Sequence, residues 1–455
     1  MAGMVVKNNM SATNTLNVLS RNANELTKSL RKVSSGMRIN SAGDDASGYA
    51  IGERMAVQMR SLDQDNRNTQ NGNSMLKVAE GAVANTVEII TTLKEKVLNA
   101  ANDTNTDDDR AQIQKELNQM VDQIDDNANV TYNGMYMIDG TKNNVSNQTS
   151  THLTNRSLAT KLSNGSNVSL TTALTKLEDV TGRNLGIQVG DTITLSWVKK
   201  GITNIVSYEV KGSPMPTRLG YLFSGSGGTP VTKDAITKLQ EDFGTPQISE
   251  KIGKDSLGND VYTPDYEKAI TYPAKHSGVD NQISGLTICV TDKDGNINKS
   301  ANTILDNFEE SIRAENSSED NSIILQTGTK ANQAIKIPLS DMRAVSLGLK
   351  ATDGTTLNIS TQKFANAAVN VLDCALQKCL NQQTRIGSVE SRLEYTSANL
   401  TVASENTQSS MSTIQDADMA AEMTAYTKSN VLLQAAQSML AQANQNSSSV
   451  LSLLQ

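Results

Sequence analysis

Proline is absent from residues 1–140 and again from Phe364 to Gln455, where Gly387 is the lone glycine. Nothing in the second stretch forces a helix to stop. Aromatics supply only 3% of the chain, with one Trp and four Phe. That is thin for several globular cores but ordinary for long helices with Ala- and Leu-rich seams. Three cysteines (Cys289, Cys374, Cys379) make no disulfide framework. Basic residues are outnumbered, 41 Lys and Arg against 48 Asp and Glu, so a net charge of −7 gives no electrostatic case for nucleic acid. No nucleophile, base and orienter set and no phosphate loop is present, so neither an enzyme nor a cofactor is expected. The opening MAGMVVKNNMSATN has no apolar run of the length of a signal peptide, which leaves the general secretory route unsupported. After Lys428 charge disappears altogether. Gln434, Gln437, Gln442, Asn444, Gln445 and Asn446 interrupt that end, so no run of roughly twenty apolar residues exists and no membrane insertion is expected.

What the ends do contain is periodicity. Ala365, Ala368, Leu372, Ala375, Cys379, Gln382, Ile386, Val389, Leu393, Thr396, Leu400 and Ala403 alternate steps of three and four, which predicts a long helix with one narrow apolar seam. A seam that narrow is a coiled-coil pattern and needs partners. After a break of register, Leu432, Ala436, Met439, Ala443, Asn446, Val450 and Leu453 form a second series. This uncharged end reads as a segment disordered when alone that packs against other chains; a helix of an intramolecular bundle is the alternative. At the amino end, Leu16, Leu19, Ala23, Leu26, Leu30, Val33 and Met37 form a third series, predicting a helix that ends near Gly36. The candidate assembly surface is therefore Leu16, Leu19, Leu26, Leu30 and Val33 together with Leu432, Met439, Val450 and Leu453.

Between Ser34 and Met55, Gly36, Gly43 and Gly48 with Asn40, Asp44 and Asp45 predict a turn whose acidic pair caps the next helix. Without a histidine or a third carboxylate at ligand spacing, that pair is not read as a metal site. Leu76, Ala79, Val83, Ile90, Leu93, Val97 and Ala100 continue the seam along a second helix, with Thr86 as its polar interruption. A third helix takes Ile113, Leu117, Met120, Val121 and Ile124, and then turns at Asn133 and Gly134. The middle differs in kind. Six of the seven prolines fall between 141 and 320, and Asp191–Val198, Ile202–Val210 and Gln282–Thr291 alternate apolar with polar residues, the pattern of strands. A helix is predicted at Thr232–Phe243. Residues 323–349 read as two short strands around a turn at 330–333, with Pro338 confining the second to an edge.

At both ends the residues resemble a known family. SSGMRINSAGDDASGYAI (34–51) is similar to the N-terminal signature of bacterial flagellins. RIGSVESRLEYTSANLTVASENTQSSMSTIQDADMAAE (385–422) and LLQAAQSMLAQAN (432–444) are similar to their C-terminal patterns, and YNGMYMIDG (132–140) and LQTGTKANQAIKIPLSDM (325–342) to their strand and hairpin. The resemblance covers about 4–140 and 322–455, and residues 1–3 precede the family's usual start at Met4. It implies a mainly α chain with long N- and C-terminal coiled-coil helices, a short β-hairpin and an inserted β-rich domain. Residues 1–46 with 415–455 are expected to be inner-tube helices, disordered in the monomer. Residues 47–140 with 321–414 would form an outer-tube helical domain, and 141–320 a variable surface domain hung from it by two closely spaced crossings. In function it implies a homopolymer, the extracellular flagellar filament, exported unfolded through the flagellar export apparatus. A chaperone is expected to hold about Ala417–Gln455, and hook-associated proteins to meet the filament. A hook-associated junction protein shares the terminal helices and is the alternative. Some flagellins carry a zinc peptidase in the insertion; with only His152 and His276 and no H-E-x-x-H, this chain does not. Many flagellins present L-Q-R-V-R-E-L-A to the animal flagellin-sensing Toll-like receptor. Here Thr92 and Lys94 stand at the two arginine positions, Glu95 is retained, Lys96 replaces leucine, and Glu116 is the matching acidic contact. Weakened signalling is expected, because threonine has no planar guanidinium and a lysine in an apolar contact costs desolvation.

Overall fold

The computed structural model describes residues 9–163, 165–212, 217–224, 233–264 and 267–453. Helix α1 (Met10–Ser35) begins where the Asn9 side chain accepts a hydrogen bond from the Ala12 amide, and ends at Gly36, whose φ of 71° is the left-handed cap that glycine adopts without steric cost. The acidic pair divides its work. Asp44 closes the turn, accepting from the Asn40 and Ser41 amides, and Asp45 accepts from the Gly48 amide at the start of α2 (Ala46–Ala100). Thr106 and Asp109 form a reciprocal capping box that starts α3 (Asp107–Ala128). Strands β1 (Thr131–Tyr132) and β2 (Met135–Tyr136) are joined by Asn133 and Gly134, both at positive φ, the two-residue hairpin turn this pair favours.

The middle of the chain holds β3 (His152–Asn155), β4 (Thr192–Lys199), β5 (Ile202–Glu209), α4 (Tyr221–Ser224), α5 (Lys233–Asp242), β6 (Gln247–Ser249), β7 (Lys251–Lys254), β8 (Asp260–Tyr262), β9 (Ala269–Pro273), β10 (Ile283–Thr291), α6 (Lys299–Leu305) and β11 (Phe308–Ile312). The strands build antiparallel sheets in the orders β10-β4-β5 and β11-β3-β9-β6, with β7-β8 a separate ribbon. The three runs with alternating polarity are thus β4, β5 and β10. The predicted helix is α5, with Thr232 outside the described residues. Trp197 on β4 is fully buried in a core with Tyr208, Phe223, Phe243 and Tyr272, and its indole donates to Asp242 at 2.9 Å. Then follow the hairpin β12 (Ile323–Gln326) and β13 (Ala334–Ile337), α7 (Ala344–Leu347), α8 (Gln362–Gln415) and α9 (Met419–Leu453).

Contacts divide the chain into two compact units, one of Met1–Gln70, Gln326–Ala334 and Glu394–Gln455, the other of Asn71–Leu325 and Ile335–Leu393. In the second unit the seam residues Leu76, Ala79, Val83, Ile90, Leu93, Val97 and Ala100 share a buried cluster with Ala365, Ala368, Leu372, Ala375, Cys379, Ile386 and Leu393. Buried Thr86 satisfies its hydroxyl on the Ala82 carbonyl. Residues 141–320 are not hung by their two crossings alone. Val198 of β4 belongs to the helical cluster, and a Cβ on Gly285 of β10 would stand 2.9 Å from Val371 of α8. In the first unit α2 meets α8 through polar side chains, Ser397 donating to Asn66 at 2.7 Å and Ser404 to Asp63 at 2.9 Å.

Between the two C-terminal apolar series the helix is interrupted, although no proline requires it. It breaks at residues 416–418. Backbone there pairs with the segment after α1: Met37 bridges Asp416, the Arg38 amide donates to the Gln415 carbonyl at 2.6 Å, and the Ala417 amide to the Gly36 carbonyl at 2.9 Å. Asp418 then caps α9 by accepting from the Ala420 amide.

Candidate functional site

Helices α1 and α9 lie against each other in antiparallel register within the first unit. The Asn22 amide donates to the Leu432 carbonyl at 3.3 Å, and Lys32 meets Glu422 at 3.6 Å. At the far end Arg38 Nη2 donates to the Ile414 carbonyl at 2.7 Å. The line of closest contact uses small and polar residues, with Asn22, Ser29, Ser429 and Ala436 buried.

The apolar series divides between the contact row and the outer surface. Leu19, Leu26 and Val33 are half-buried at steps of three and four from Asn22 and Ser29, in the same helix row. Leu16 and Leu30 are 54% and 50% exposed, and Leu432 and Met439 are 41% and 64% exposed. Val450 and Leu453 lie in helical backbone, and their side chains fall outside the described residues. Asn22 and Ser29 fill the steps between Leu19, Leu26 and Val33 in one row of threes and fours, and Leu16 and Leu30 fall outside that row. Four large apolar side chains are left exposed, and on α9 no charge follows Lys428 to keep identical copies apart.

A second candidate surface lies on α2 and α3. Thr92 donates to the Glu88 carbonyl of its own helix, Lys94 pairs with Asp373 of α8, and Glu95 is exposed. Lys96 and Glu116 are brought together, Nζ to Oε1 at 2.9 Å, each about two-fifths exposed. The acidic position is thus already engaged by the lysine that replaces leucine. Among the described residues no group of three or more His, Cys, Asp and Glu is placed to hold a metal. Burial pushes the Cys374 and Cys379 thiols up to about 12, which leaves them unreactive at neutral pH. Among the described residues no helix is long and apolar enough to cross a membrane.

Comparison with known proteins accounts for both ends. The family described as bacterial flagellin N-terminal helical region matches residues 6–143, and that described as bacterial flagellin C-terminal helical region matches 369–454. A flagellin of Clostridium tyrobutyricum is 30% identical over 446 residues, covering 97% of this chain and 99% of its own length. This chain belongs to the bacterial flagellin family. The flagellin of Bacillus subtilis (strain 168) is 26% identical over 472 residues, covering 99% of this chain and 100% of its own. Among solved structures, flagellar hook associated protein-3 from Legionella pneumophila covers 80% of this chain and 98% of its own at 14% identity and a TM-score of 0.34. FliC from Burkholderia pseudomallei covers 70% and 99% at 17% identity and a TM-score of 0.26. Likeness at those scores carries no argument about this flagellin.

Sequence reasoning missed three sets of residues in this flagellin: the buried polar row Asn22, Ser29 and Ser429, the backbone pairing at 36–38 with 414–417, and the buried Lys378. For the second a signal existed. Asp416 and Asp418 flank the break, and aspartate is a preferred residue ahead of a helix.

Proposed function

We propose that this flagellin is the repeating structural subunit of an extracellular bacterial flagellar filament, and that it polymerises through α1 and α9. The observation that carries this is the exposure of Leu16, Leu30, Leu432 and Met439 outside the contact row of the α1 and α9 pair. Neighbouring copies cover these side chains, and the terminal pair becomes fully ordered only when they do. On this reading 1–46 with 415–455 line the inner tube, 47–140 with 321–414 form the outer tube, and 141–320 faces solvent. The subunit leaves the cell unfolded through the flagellar export apparatus. A chaperone covers about 417–455 beforehand, and hook-associated proteins meet the finished filament. The role is mechanical, with no catalysis, cofactor or nucleic acid. Electron microscopy of salt-treated purified protein tests it: long filaments are expected from the full chain and none from a chain ending at Asp416. Short caps or rings from the full chain would favour a junction role instead.

The second surface supports weakened signalling through the animal flagellin-sensing Toll-like receptor. Thr92 offers no guanidinium, and the Lys96 to Glu116 pair must open before Glu116 meets a partner. In a dose-response reporter assay, Thr92→Arg with Lys96→Leu should be more potent than the parent. Equal potency would remove this part of the reading.

A further inference from the structure

Helix α8 carries a lysine in an unusual place. Lys378 sits beside the seam residues Ala375, Cys379 and Gln382, with its side chain 5% exposed. Its countercharge comes from the insertion: Glu310 of β11, itself 6% exposed, places Oε2 at 3.3 Å from Nζ. Glu310 Oε1 has no hydrogen-bond partner among the described residues, so each charge depends on the other. A buried charge stripped of its partner is strongly destabilising, whereas a buried pair replaced by apolar or neutral groups is often tolerated. Helix α8 therefore contains a charge whose one ion-pair partner among the described residues belongs to the insertion.

Three further ties reach across the same boundary, all within the second unit. Asn370 Nδ2 on α8 donates to the Leu286 carbonyl at 3.1 Å, to Thr287 Oγ1 at 3.1 Å and to Asp306 Oδ1 at 3.2 Å, which fastens β10 and the end of α6 to the helix. Arg313, just past β11, donates to the Asp341 carbonyl and to Ser346 Oγ. Gly285 sits at an irregularity of β10 and lets that strand's backbone touch Val371, an approach a side chain would block.

We propose that residues 141–320 and α8 fold and unfold as one cooperative body, keyed by Lys378 and Glu310, so that the insertion is a required part of the shaft and not an autonomous outer domain. The chain carries its own probe. Trp197 is its single tryptophan and is fully buried in the insertion. Urea unfolding of the full-length protein is followed by Trp197 fluorescence and, in parallel, by hydrogen exchange of amides 365–386 in α8. Coincident midpoints are expected. Glu310→Gln should lower both midpoints together, and adding Lys378→Met should recover most of the loss. A Trp197 transition well separated from that of α8 in the unaltered protein would overturn the proposal even if no variant folds. So would a Glu310→Gln effect confined to Trp197.

Discussion

Truncating Leu432 and Met439 to alanine together should raise the concentration at which filaments form, while the monomer loses only the contacts of their already buried fractions. Full burial of a side chain of this size contributes about 1.5–3 kcal/mol. In the monomer Leu432 is 41% exposed and Met439 64% exposed, so only those fractions remain to be gained on assembly. Scaled that way, the pair withholds about 2 kcal/mol of contact per subunit. At 1.4 kcal/mol per tenfold change, the critical concentration rises about 30-fold. Sedimentation of salt-induced polymer across a dilution series gives that concentration directly, and circular dichroism melting of the monomer is the control. Asn22→Ala is the informative contrast: it removes a buried bond to the Leu432 carbonyl and should weaken the α1 to α9 pairing itself. An unchanged critical concentration in the double variant would refute the reasoning. So would a loss of monomer stability large enough to account for the whole change in critical concentration, which would place both side chains in the subunit's own core.

Acidity should also tell. Burial pushes the Asp306 carboxyl up to about 7, against the hydrogen bonds from the Ile288 amide and Asn370 that favour its charged form. The native state then holds this proton more tightly than the unfolded chain does. Its stabilising contribution is complete below the ordinary value of 3.8 and is lost as pH rises from there to about 7. Urea midpoints read by Trp197 should therefore fall as pH rises from 5 through 7, and fall by less in an Asp306→Asn variant, which lacks this slope. Leu93→Ala, at a fully buried position of α2, should cost about 2–5 kcal/mol in denaturant unfolding read at α8. Asp418→Ala removes the cap of α9 and should cost about 1 kcal/mol, seen as faster amide exchange in residues 419–422 with α8 above residue 411 unaffected.

The helical framework was legible because its signal is long. Seam residues from Leu76 to Ala100 and from Ala365 to Leu393 repeat through many turns, and all but the partly buried Val389 are buried where the spacing puts them. Asn133 with Gly134 named its own turn, since few other pairs adopt two successive positive φ values. Pairing of particular faces was less legible. In α1 the apolar series divides between the contact row and the outer surface, and the burial of Asn22 and Ser29 in place of Leu16 and Leu30 depends on where α9 lies, a property of two helices together. Absence of proline and glycine does not guarantee continuity either. At 416–418 the helix ends because backbone bonds to Gly36 and Arg38 replace those of the helix. Lys378 reads in sequence as an ordinary exposed position, and only the arrival of β11 buries it.

An electron cryomicroscopy reconstruction of filaments grown from this chain would test the central claim most directly. Leu16, Leu30, Leu432 and Met439 should be covered by neighbouring subunits in the inner layer. Finding them still facing solvent, with the subunit contacts made elsewhere, would contradict it.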